Sequence, residues 1–273
     1  MNQKSIIVIP GRLDSSRLPN KLIAKINGLS MLERVINRCK LNKQSCPVVL
    51  CTDNLTLETI GKACGIKVFK TSKDCSSGTE RIASVLEEIL SFLWKKDFDK
   101  LNGTEKKKIL KQSSVINVQG DQPFINPEII DEMVQKINSS LCKSEIITPI
   151  YELKPENIHN PNVVKTLISN ESKHVIYFSR SAIPHVRDIP QENWYKHNKF
   201  WGHVGIYGFR ADVLHQWGNI PLSNLESLER LEQLRFIEAG YTVGSFLTKG
   251  NSLSIDTKNQ LEEARKIALE ENI

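Results

Sequence analysis

The chain has 273 residues, of which 40% are hydrophobic and 25% are charged. This composition is typical of a globular protein with a core, and it excludes a disordered chain, a collagen-like repeat and a disulfide-stapled miniprotein. The formal net charge of +6 comes from 37 basic and 31 acidic residues. So mild an excess is compatible with an anionic small molecule or with nucleic acid, and charge alone does not decide between them.

The first half of the chain alternates short apolar runs with amphipathic stretches. The runs predict buried strands, and the stretches predict helices, two of them opened by capping-box patterns at Ser30 and Ser77. Strands are predicted at 6–9, 48–51, 67–70 and 115–118, and helices from Met31, at 55–64, behind Ser77 and at 127–138. This alternation predicts right-handed βαβ units and a parallel sheet.

The second half has strand-like segments separated by polar stretches that contain proline. The strands are predicted at 144–150, 162–168, 174–178, 203–209 and about 241–247, with helices at about 224–239 and from Thr257. We expect one α/β domain over 1–273 with a mixed, mostly parallel sheet flanked by helices. Within it, residues from about 150 to 215 are expected to form a subsidiary β layer.

Cysteine spacing and hydropathy bear on the cellular compartment. The six cysteines show no CxxC spacing, so we expect free thiols in a reducing environment rather than a zinc or redox site. The N-terminal apolar run 6–9 is too short for a signal peptide, and no run approaches the about 18 apolar residues of a membrane span. These features predict a cytoplasmic protein without a membrane partner.

Residues 94–112 (WKKDFDKLNGTEKKKILKQ) are dense in lysine. A nucleic-acid patch is one interpretation, but the segment lacks the interleaved aromatic and arginine side chains that stack on bases. A solvated face is favoured, and no nucleic-acid partner is expected.

The loop after the first strand, PGRLDSSRLPNK, carries three cations, Arg12, Arg17 and Lys21. The motifs GxxxxGK[ST], GxGxxG, HExxH and GxSxG are absent from the chain. In an open α/β sheet, ligands bind beyond the carboxyl ends of the strands, where this loop begins. Three cations there suit a triphosphate, although a solvated basic loop has the same composition.

Two aspartates lie in comparable places, Asp121 after the strand 115–118 and Asp256 before the last helix. Mg²⁺ takes oxygen ligands and is usually bound through one or two protein carboxylates. Taken singly, Asp121 is equally compatible with a turn and Asp256 with a helix N-cap. Together with the basic loop, they indicate a metal-dependent nucleotidyltransferase.

Seven segments of the chain resemble those of the 3-deoxy-manno-octulosonate (Kdo) cytidylyltransferase family. The similar segments follow the family's order and span nearly the whole chain: VIPGRLDSSRLPNK, SSGTERIA, NVQGDQP, YFSRSAIP, GHVGIYGFR, LERLEQLR and SIDT. The resemblance implies a Rossmann-like, glycosyltransferase-A-like nucleotidyltransferase fold with three layers. It also implies a homodimer that transfers CMP from CTP to Kdo for lipopolysaccharide inner-core synthesis and releases pyrophosphate.

The same resemblance implies roles for individual residues. CTP is expected to contact Gly11, Arg12, Arg17, Lys21, Ser77, Gly78, Arg81 and Asp121. The sugar is expected to contact Gln119, Arg180, Arg187, His203, Tyr207, Glu232 and Gln233. Mg²⁺ is expected on Asp121 and Asp256, and the residues expected to act in catalysis are Arg12, Lys21, Asp121 and Asp256.

One departure from the family pattern leaves the sugar open. The motif reads QGDQP where the family usually has QGDEP, and Gln122 is the residue found in similar enzymes that activate 8-amino-3,8-dideoxy-manno-octulosonate (8-amino-Kdo). That sugar is therefore an alternative substrate, whereas a sialic acid cytidylyltransferase fits the IYGFR and LEQLR segments less well. A non-catalytic nucleotide or nucleic-acid binding module is a third interpretation. The pair Asp121 and Asp256 disfavours it, because a binder needs no paired metal carboxylates.

Overall fold

A computed structural model describes residues 3–14, 18–248 and 254–270. Its centre is a ten-stranded mixed sheet, beside which β2 and β3 form a small hairpin. The strands in chain order are β1 (Lys4–Gly11), β2 (Lys25–Ile26), β3 (Leu29–Ser30), β4 (Val48–Thr52), β5 (Lys67–Lys70), β6 (Ser113–Asn117), β7 (Ile146–Glu152), β8 (Lys165–Ile168), β9 (Val175–Ser179), β10 (Trp201–His203), β11 (Tyr207–Arg210) and β12 (Val243–Leu247).

The N-terminal part of the sheet is parallel, as the sequence predicts. β1 lies at its centre and pairs in parallel with β4 and β6, while β5 pairs in parallel with β4. Residues Ile6, Ile7, Val8 and Ile9 are all fully buried, because β1 is covered on both faces. This is the environment that a continuous apolar run favours.

The second half continues the same sheet, mainly with antiparallel strands. β11 pairs antiparallel with both β6 and β7, and the order from there is β7, β10, β8, β9, with β12 parallel to β7. The expected mixed sheet is therefore confirmed, with its parallel pairings concentrated in the first half. The strands between 150 and 215 do not form a separate layer, because β11 joins them edge to edge to β6.

Helices pack on both faces of the sheet. They are α1 (Met31–Lys40), α2 (Leu55–Ala63), α3 (Gly78–Ala83), α4 (Leu86–Trp94), α5 (Gly103–Lys111), α6 (Pro127–Ile137), α7 (Ala211–Leu214), α8 (Asn224–Glu229), α9 (Gln233–Glu238) and α10 (Lys258–Glu270). Apolar side chains of α1, α6 and α10 share one core cluster with Ile7 and Ile9. Side chains of α3, α4, α7 and α9 share another with Ile6 and Val8. The three-layer architecture is confirmed, with a core on each face of β1.

Two predicted helices are interrupted, and each interruption has a local cause. The helix predicted behind Ser77 divides into α3 and α4. At the break, Ser84 Oγ donates to the Arg81 carbonyl and Val85 leaves helical geometry. Such a side-chain bond competes with the helical backbone pattern. The stretch 224–239 divides at Arg230, whose φ of 53° lies in the left-handed region.

The capping patterns are borne out in one case and half borne out in the other. Ser30 and Glu33 form a complete capping box at α1. Ser77 caps α3 by accepting from the Glu80 amide, but the Glu80 carboxylate accepts from Ser76 instead of closing the box onto Ser77.

The lysine-rich segment 94–112 lies at the surface and includes the helix α5. Phe98, Ile109 and Leu110 are buried, whereas most lysines of the segment are exposed. The expected solvated face is therefore confirmed. Across the described ranges, none of the helices has the length and apolar character that crossing a membrane requires.

Candidate active site

A cavity of about 750 Å³ opens where β1 and β6 end. Two groups of residues line it. The first wall comes from the loops after β1 and β6, from α3 with the residue before it, and from the segment that precedes α10: Gly11, Arg12, Lys21, Ser77, Gly78, Arg81, Gln119, Asp121 and Asp256. The second wall comes from β10, β11 and the α8–α9 segment: His203, Tyr207, Glu226, Arg230, Glu232, Gln233 and Arg235.

Lys21 joins the two aspartates of the first wall. Its Nζ donates to Asp121 Oδ2 at 2.6 Å and to Asp256 Oδ1 at 2.9 Å. The Ile255 amide donates to the Asp121 carbonyl at 3.0 Å, which ties the segment before α10 to the loop after β6. Burial works against the Lys21 charge, but the two carboxylates more than offset it and the pKa of Lys21 is raised. The ammonium thus stays charged between the two carboxylates.

This arrangement fits a divalent cation. Two carboxylates, 135 residues apart in the chain, already converge on a single positive charge. In the part of the chain that the structure describes, no cluster of three or more His, Cys, Asp or Glu side chains is suited to a metal. Two carboxylates with phosphate oxygens and waters completing the shell are what Mg²⁺ commonly uses in nucleotide sites. Asp121 and Asp256 therefore suit a metal that arrives with a phosphate ligand.

The segment before α3 approaches the end of β6 closely. A Cβ built on Gly78 would lie 3.1 Å from both Gln119 Oε1 and Pro10 Cγ, which is tighter than ordinary contact. Gln119 is itself fixed by donating from Nε2 to Asn117 Oδ1 at 3.1 Å. Gly78 thus lets the N-terminus of α3 come close to the strand ends at the cavity.

Arg81 lines the cavity with its guanidinium already held. Its side chain is 2% exposed and lies 3.1 Å from Asp53 Oδ1. It also donates to Thr71 Oγ1 and to the Ser72 carbonyl. The side chain available to an anion at this wall is Arg12, which is exposed at the cavity. Arg17, also expected to bind phosphate, lies outside the described residues.

The second wall includes two neutral titratable side chains, His203 and Tyr207. The His203 ring is partly buried, with Phe178 and Tyr207 at centroid distances of 4.9 and 5.3 Å. Desolvation lowers the pKa of His203 to about 3, so the imidazole is neutral. Burial, and then the nearby Glu232 carboxylate, raise the pKa of Tyr207 well above its ordinary value, so its hydroxyl stays protonated.

Thr79 is a functional candidate that sequence reasoning missed. It is fully buried at the start of α3, and its Oγ1 donates to Glu232 Oε1 at 2.6 Å. This bond links the two walls across 153 residues of sequence. The residue lies inside the quoted SSGTERIA segment, but nothing in the sequence indicated its partner.

The α8–α9 segment adds a second unpredicted pair. Arg235 donates from Nε and Nη2 to both carboxylate oxygens of Glu226, at 2.5 and 2.8 Å, and stacks on Trp217 at 4.1 Å. Planar two-donor pairs of this kind are geometrically specific. The pair holds the turn that presents Glu232 and Gln233.

Two expected sugar-binding arginines are not part of the cavity wall. Arg180 donates from Nε to the Glu229 carbonyl at 2.8 Å and from Nη1 to the Pro161 carbonyl at 3.2 Å. It thereby ties the end of β9 to the residue before Arg230 and stands behind the second wall. The Arg187 side chain is 89% exposed and lies 3.4 Å from its neighbour Asp188. The expectation that these two residues contact the sugar therefore stays a prediction.

Gln122 is also away from the cavity surface. It is 2% exposed, and its Nε2 would lie 3.7 Å from a Cβ built on Gly205, which lines the cavity. The side chain therefore sits beneath the wall.

Comparisons with known proteins place this geometry in a family. Residues 6–271 match the family model described as Cytidylyltransferase. The chain is 35% identical over 266 residues to 3-deoxy-manno-octulosonate cytidylyltransferase of Chloroherpeton thalassium, with 97% of each chain covered. It is 33% identical to the protein of the same name from Porphyromonas gingivalis, over 97% of this chain and 96% of that one.

Solved structures agree. The fold is similar to that of CMP:2-keto-3-deoxy-manno-octonic acid synthetase complexed with CTP, with a TM-score of 0.83, 30% identity and coverage of 98% of this chain and 100% of that one. It shares its fold alone with 4-diphosphocytidyl-2C-methyl-D-erythritol synthase from Anaerococcus prevotii, with a TM-score of 0.58, 12% identity and coverage of 98% and 97%. The fold is that of an α/β nucleotidyltransferase. The chain belongs to the cytidylyltransferase family, within the group of the 3-deoxy-manno-octulosonate cytidylyltransferases.

Proposed function

We propose that this protein transfers CMP from CTP to Kdo and releases pyrophosphate, with Mg²⁺ as cofactor. The observation that carries the proposal is the convergence of Asp121, Asp256 and Lys21 in one cavity whose opposite wall presents His203, Tyr207, Glu232 and Gln233. The first set suits a metal-bound triphosphate, and the second offers donors and acceptors to a polyhydroxylated acid. The names of the relatives support the same pair of substrates.

In the proposed reaction the anomeric hydroxyl of Kdo attacks the α-phosphorus of CTP in line. The new bond joins the sugar oxygen to phosphorus, and the hydroxyl proton is released to solvent. The bond from phosphorus to the bridging oxygen of the β-phosphate breaks, and its electron pair leaves with pyrophosphate. Mg²⁺ held by Asp121 and Asp256 would neutralise phosphate charge and orient the phosphates. The protein contributes mainly positioning and charge complementarity.

The residues of the first wall would neutralise the triphosphate. Arg12 is exposed at the cavity and retains a free guanidinium face toward solvent, so it suits the charge that develops on the departing pyrophosphate. Lys21 is held between the two carboxylates and keeps them within reach of one cation. Gly78 lets the start of α3 lie close to Gln119 and Pro10, so that the N-terminus of this helix faces the phosphates.

The residues of the second wall would hold the sugar. Glu232 is fixed by Thr79 and accepts from hydroxyl groups, while Gln233 and Tyr207 offer both donors and acceptors. Because Glu232 is bound to a residue of α3, placement of the sugar is coupled to the segment that contacts the nucleotide.

The test is pyrophosphate release by the purified protein with CTP and Mg²⁺, with Kdo or 8-amino-Kdo as acceptor. We expect turnover with Kdo. Preference for 8-amino-Kdo would keep the mechanism and change the substrate, an outcome that Gln122 in the QGDQP motif makes worth measuring. Because Gln122 lies beneath the wall, its effect on sugar choice would be indirect, and Gln122→Glu in the same assay measures it.

Absence of turnover with both sugars would contradict the proposal. If the folded protein instead bound DNA with steep loss of affinity in salt, the interpretation as a binding module would be favoured. We further propose that the protein works in the cytoplasm as a homodimer. Sedimentation of the purified protein at micromolar concentration tests the dimer, and a monomer there would contradict it.

A further inference from the structure

A buried threonine stands directly behind the histidine of the second wall. Thr148 lies in β7 and is fully buried, and its Oγ1 is 3.1 Å from His203 Nε2. The same Oγ1 is 2.8 Å from the Ile206 carbonyl oxygen and 3.2 Å from the Val204 carbonyl oxygen. One hydroxyl thus has three neighbours at hydrogen-bond distance.

The proton count of these groups fixes the direction of each bond. A threonine hydroxyl has one proton to donate, and a carbonyl oxygen only accepts. At 2.8 Å, the Ile206 carbonyl and the hydroxyl oxygen would repel each other unless the proton lies between them. Thr148 therefore donates toward the carbonyls of the 204–206 segment, and its lone pair faces His203 Nε2. Nε2 must then carry a proton of its own.

The protonation of Nε2 determines the state of the other ring nitrogen, Nδ1. The imidazole is neutral because burial lowers the pKa of His203 to about 3, so it holds a single ring proton. With that proton on Nε2, Nδ1 has a free lone pair. Among the described residues, the hydrogen bonds of the His203 ring reach no partner through Nδ1, and His203 lines the cavity.

We propose that Thr148 is a positioning residue that holds the proton of His203 on Nε2, so that Nδ1 accepts a hydrogen bond from a hydroxyl group of the sugar. The inference rests on the proposed function for the identity of the ligand, but not for the placement of the proton. An ionised carboxylate has no proton to give, so it is excluded from Nδ1. His203 thus selects a hydroxyl, and the sugar carboxylate must bind elsewhere on the wall.

The aromatic neighbours of His203 also restrict the orientation of its ring, which keeps Nδ1 in one place as an acceptor. Phe178 meets the ring edge to face at an interplanar angle of 65°, and Tyr207 lies tilted at 39°. Turning the ring over would place a carbon, rather than Nε2, toward Thr148 Oγ1. The hydroxyl and the two aromatic neighbours therefore define one ring state.

The first test is spectroscopic and needs no substrate. Two-dimensional ¹⁵N–¹H spectra of the imidazole groups distinguish protonated Nε2 from protonated Nδ1, and comparison with the His203→Asn variant assigns the His203 signals. We expect a proton on Nε2 and an unprotonated Nδ1 at neutral pH. A proton on Nδ1 in the wild-type protein would overturn the proposal outright.

The second test removes the hydroxyl without changing the side-chain volume. In Thr148→Val, the His203 signals should show exchange between tautomers, and the KM for the sugar should rise roughly tenfold, the usual effect of one hydrogen bond. The KM for CTP should not change. Thr148→Ser keeps the hydroxyl and should restore both the tautomer and the sugar KM. Unchanged sugar KM and tautomer in Thr148→Val would contradict the proposal.

The chain offers a matched control in Thr166. Its Oγ1 is buried in the same sheet, on β8, and has no hydrogen-bond partner in the described structure. Thr166→Val makes the same chemical change and should leave the sugar KM and the His203 spectrum as they are. An equal rise in sugar KM for both valine variants would mean that the effect of Thr148 is general packing.

A double variant shows whether Thr148 acts through His203. In the His203→Asn background, adding Thr148→Val should change the sugar KM less than twofold, because residues that act as a unit are not additive. Full additivity would overturn the proposed route. If no ulosonic acid is turned over at all, the proposed function fails, while the tautomer measurement still decides the role of Thr148.

Discussion

The two walls of the cavity differ in how their side chains are held. The first wall is built mainly from loops at the carboxyl ends of parallel strands, and its charged groups pair with opposite charges, as Lys21 does with Asp121 and Asp256 and Arg81 does with Asp53. The second wall is built from antiparallel strands and a broken helix, and its groups are fixed from behind by buried partners such as Thr79 and Thr148. Charge dominates one wall, whereas positioning dominates the other.

This difference suggests a division of work. A triphosphate needs concentrated positive charge and a metal, which flexible and solvated loops can supply. A sugar with several similar hydroxyls needs acceptors and donors at fixed places, because specificity among hydroxyls depends on geometry. Variants of the first wall should therefore affect the rate or the KM for CTP, and variants behind the second wall should affect the KM for the sugar.

Loss of a metal carboxylate should give the largest effect. In Asp121→Asn the proposed Mg²⁺ would lose one of its two protein carboxylates, and the several kcal/mol of charge stabilisation that a metal supplies would correspond to a fall in kcat of roughly a thousandfold. Binding of Mn²⁺, followed by electron paramagnetic resonance, should weaken in parallel. Asp212→Asn is the control, because Asp212 lies on α7 and pairs with Arg210 away from the cavity. Near-normal turnover of Asp121→Asn with Mg²⁺ would contradict the metal assignment.

The second-largest effect is expected from loss of the hydrogen bond between Thr79 and Glu232, which links the two walls. Thr79→Val removes the 2.6 Å bond to Glu232 and leaves a carboxylate without its donor. A hydrogen bond to a charged group contributes about 1.5–3 kcal/mol, so kcat/KM for the sugar should fall roughly 10- to 100-fold. Steady-state kinetics with varied sugar and saturating CTP measure this. Thr79→Ser keeps the hydroxyl and should behave nearly as wild type, and an equal loss in both variants would show that packing alone matters.

A smaller effect is expected from a methyl group at the first wall. In Gly78→Ala the new Cβ would meet Gln119 and Pro10 at 3.1 Å, so the start of α3 must move by a few tenths of an ångström. Overpacking of this kind costs about 1–3 kcal/mol, and we expect part of it as a several-fold rise in the KM for CTP. Gly103→Ala is the matched control, since a Cβ there meets nothing within 4 Å. A CTP KM equal in the two variants would mean that α3 does not approach the nucleotide.

The contrast between the walls also explains what could be predicted from the sequence. The buried strands and the helices that flank the sheet follow from local patterns, and Arg12 and Asp121 each lie within a few residues of the carboxyl end of a strand. The three layers and the other residues of the first wall are what the family resemblance implies. The contacts behind the second wall join residues 55 and 153 positions apart, and no local pattern encodes them. The break at Arg230 was missed for the same reason: apolar periodicity continues through it, while the turn is held by the pairing of Arg235 with Glu226.

Arg180 is a residue whose type the sequence indicates but whose contacts it does not. A motif places it beside the sugar, but the structure uses its guanidinium to hold the Glu229 and Pro161 carbonyls. A motif reports which residue type is present and not the direction in which a long side chain points. Arg180→Ala leaves these two carbonyls without their donor, so it should lower the free energy of unfolding by about 1–3 kcal/mol. The KM for the sugar should also rise several-fold, because Arg180 supports the segment that precedes Glu232. Thermal unfolding and sugar kinetics on the same preparation check both parts.

The smallest effect is expected from substitution of Arg187, and this variant tests directly whether the second wall depends on charge. Its side chain is 89% exposed and pairs only loosely with Asp188, so Arg187→Ala should change stability and both KM values by less than twofold. The same assays measure this, with Arg180→Ala as the reference. A rise of tenfold or more in sugar KM, with CTP KM unchanged, would contradict that expectation. It would mean that an exposed arginine reaches the bound sugar from a second copy of the chain or after a movement of the loop. The second wall would then be completed by charge brought from outside, as the first wall would be by the proposed Mg²⁺, and the two walls would differ less than their buried partners suggest.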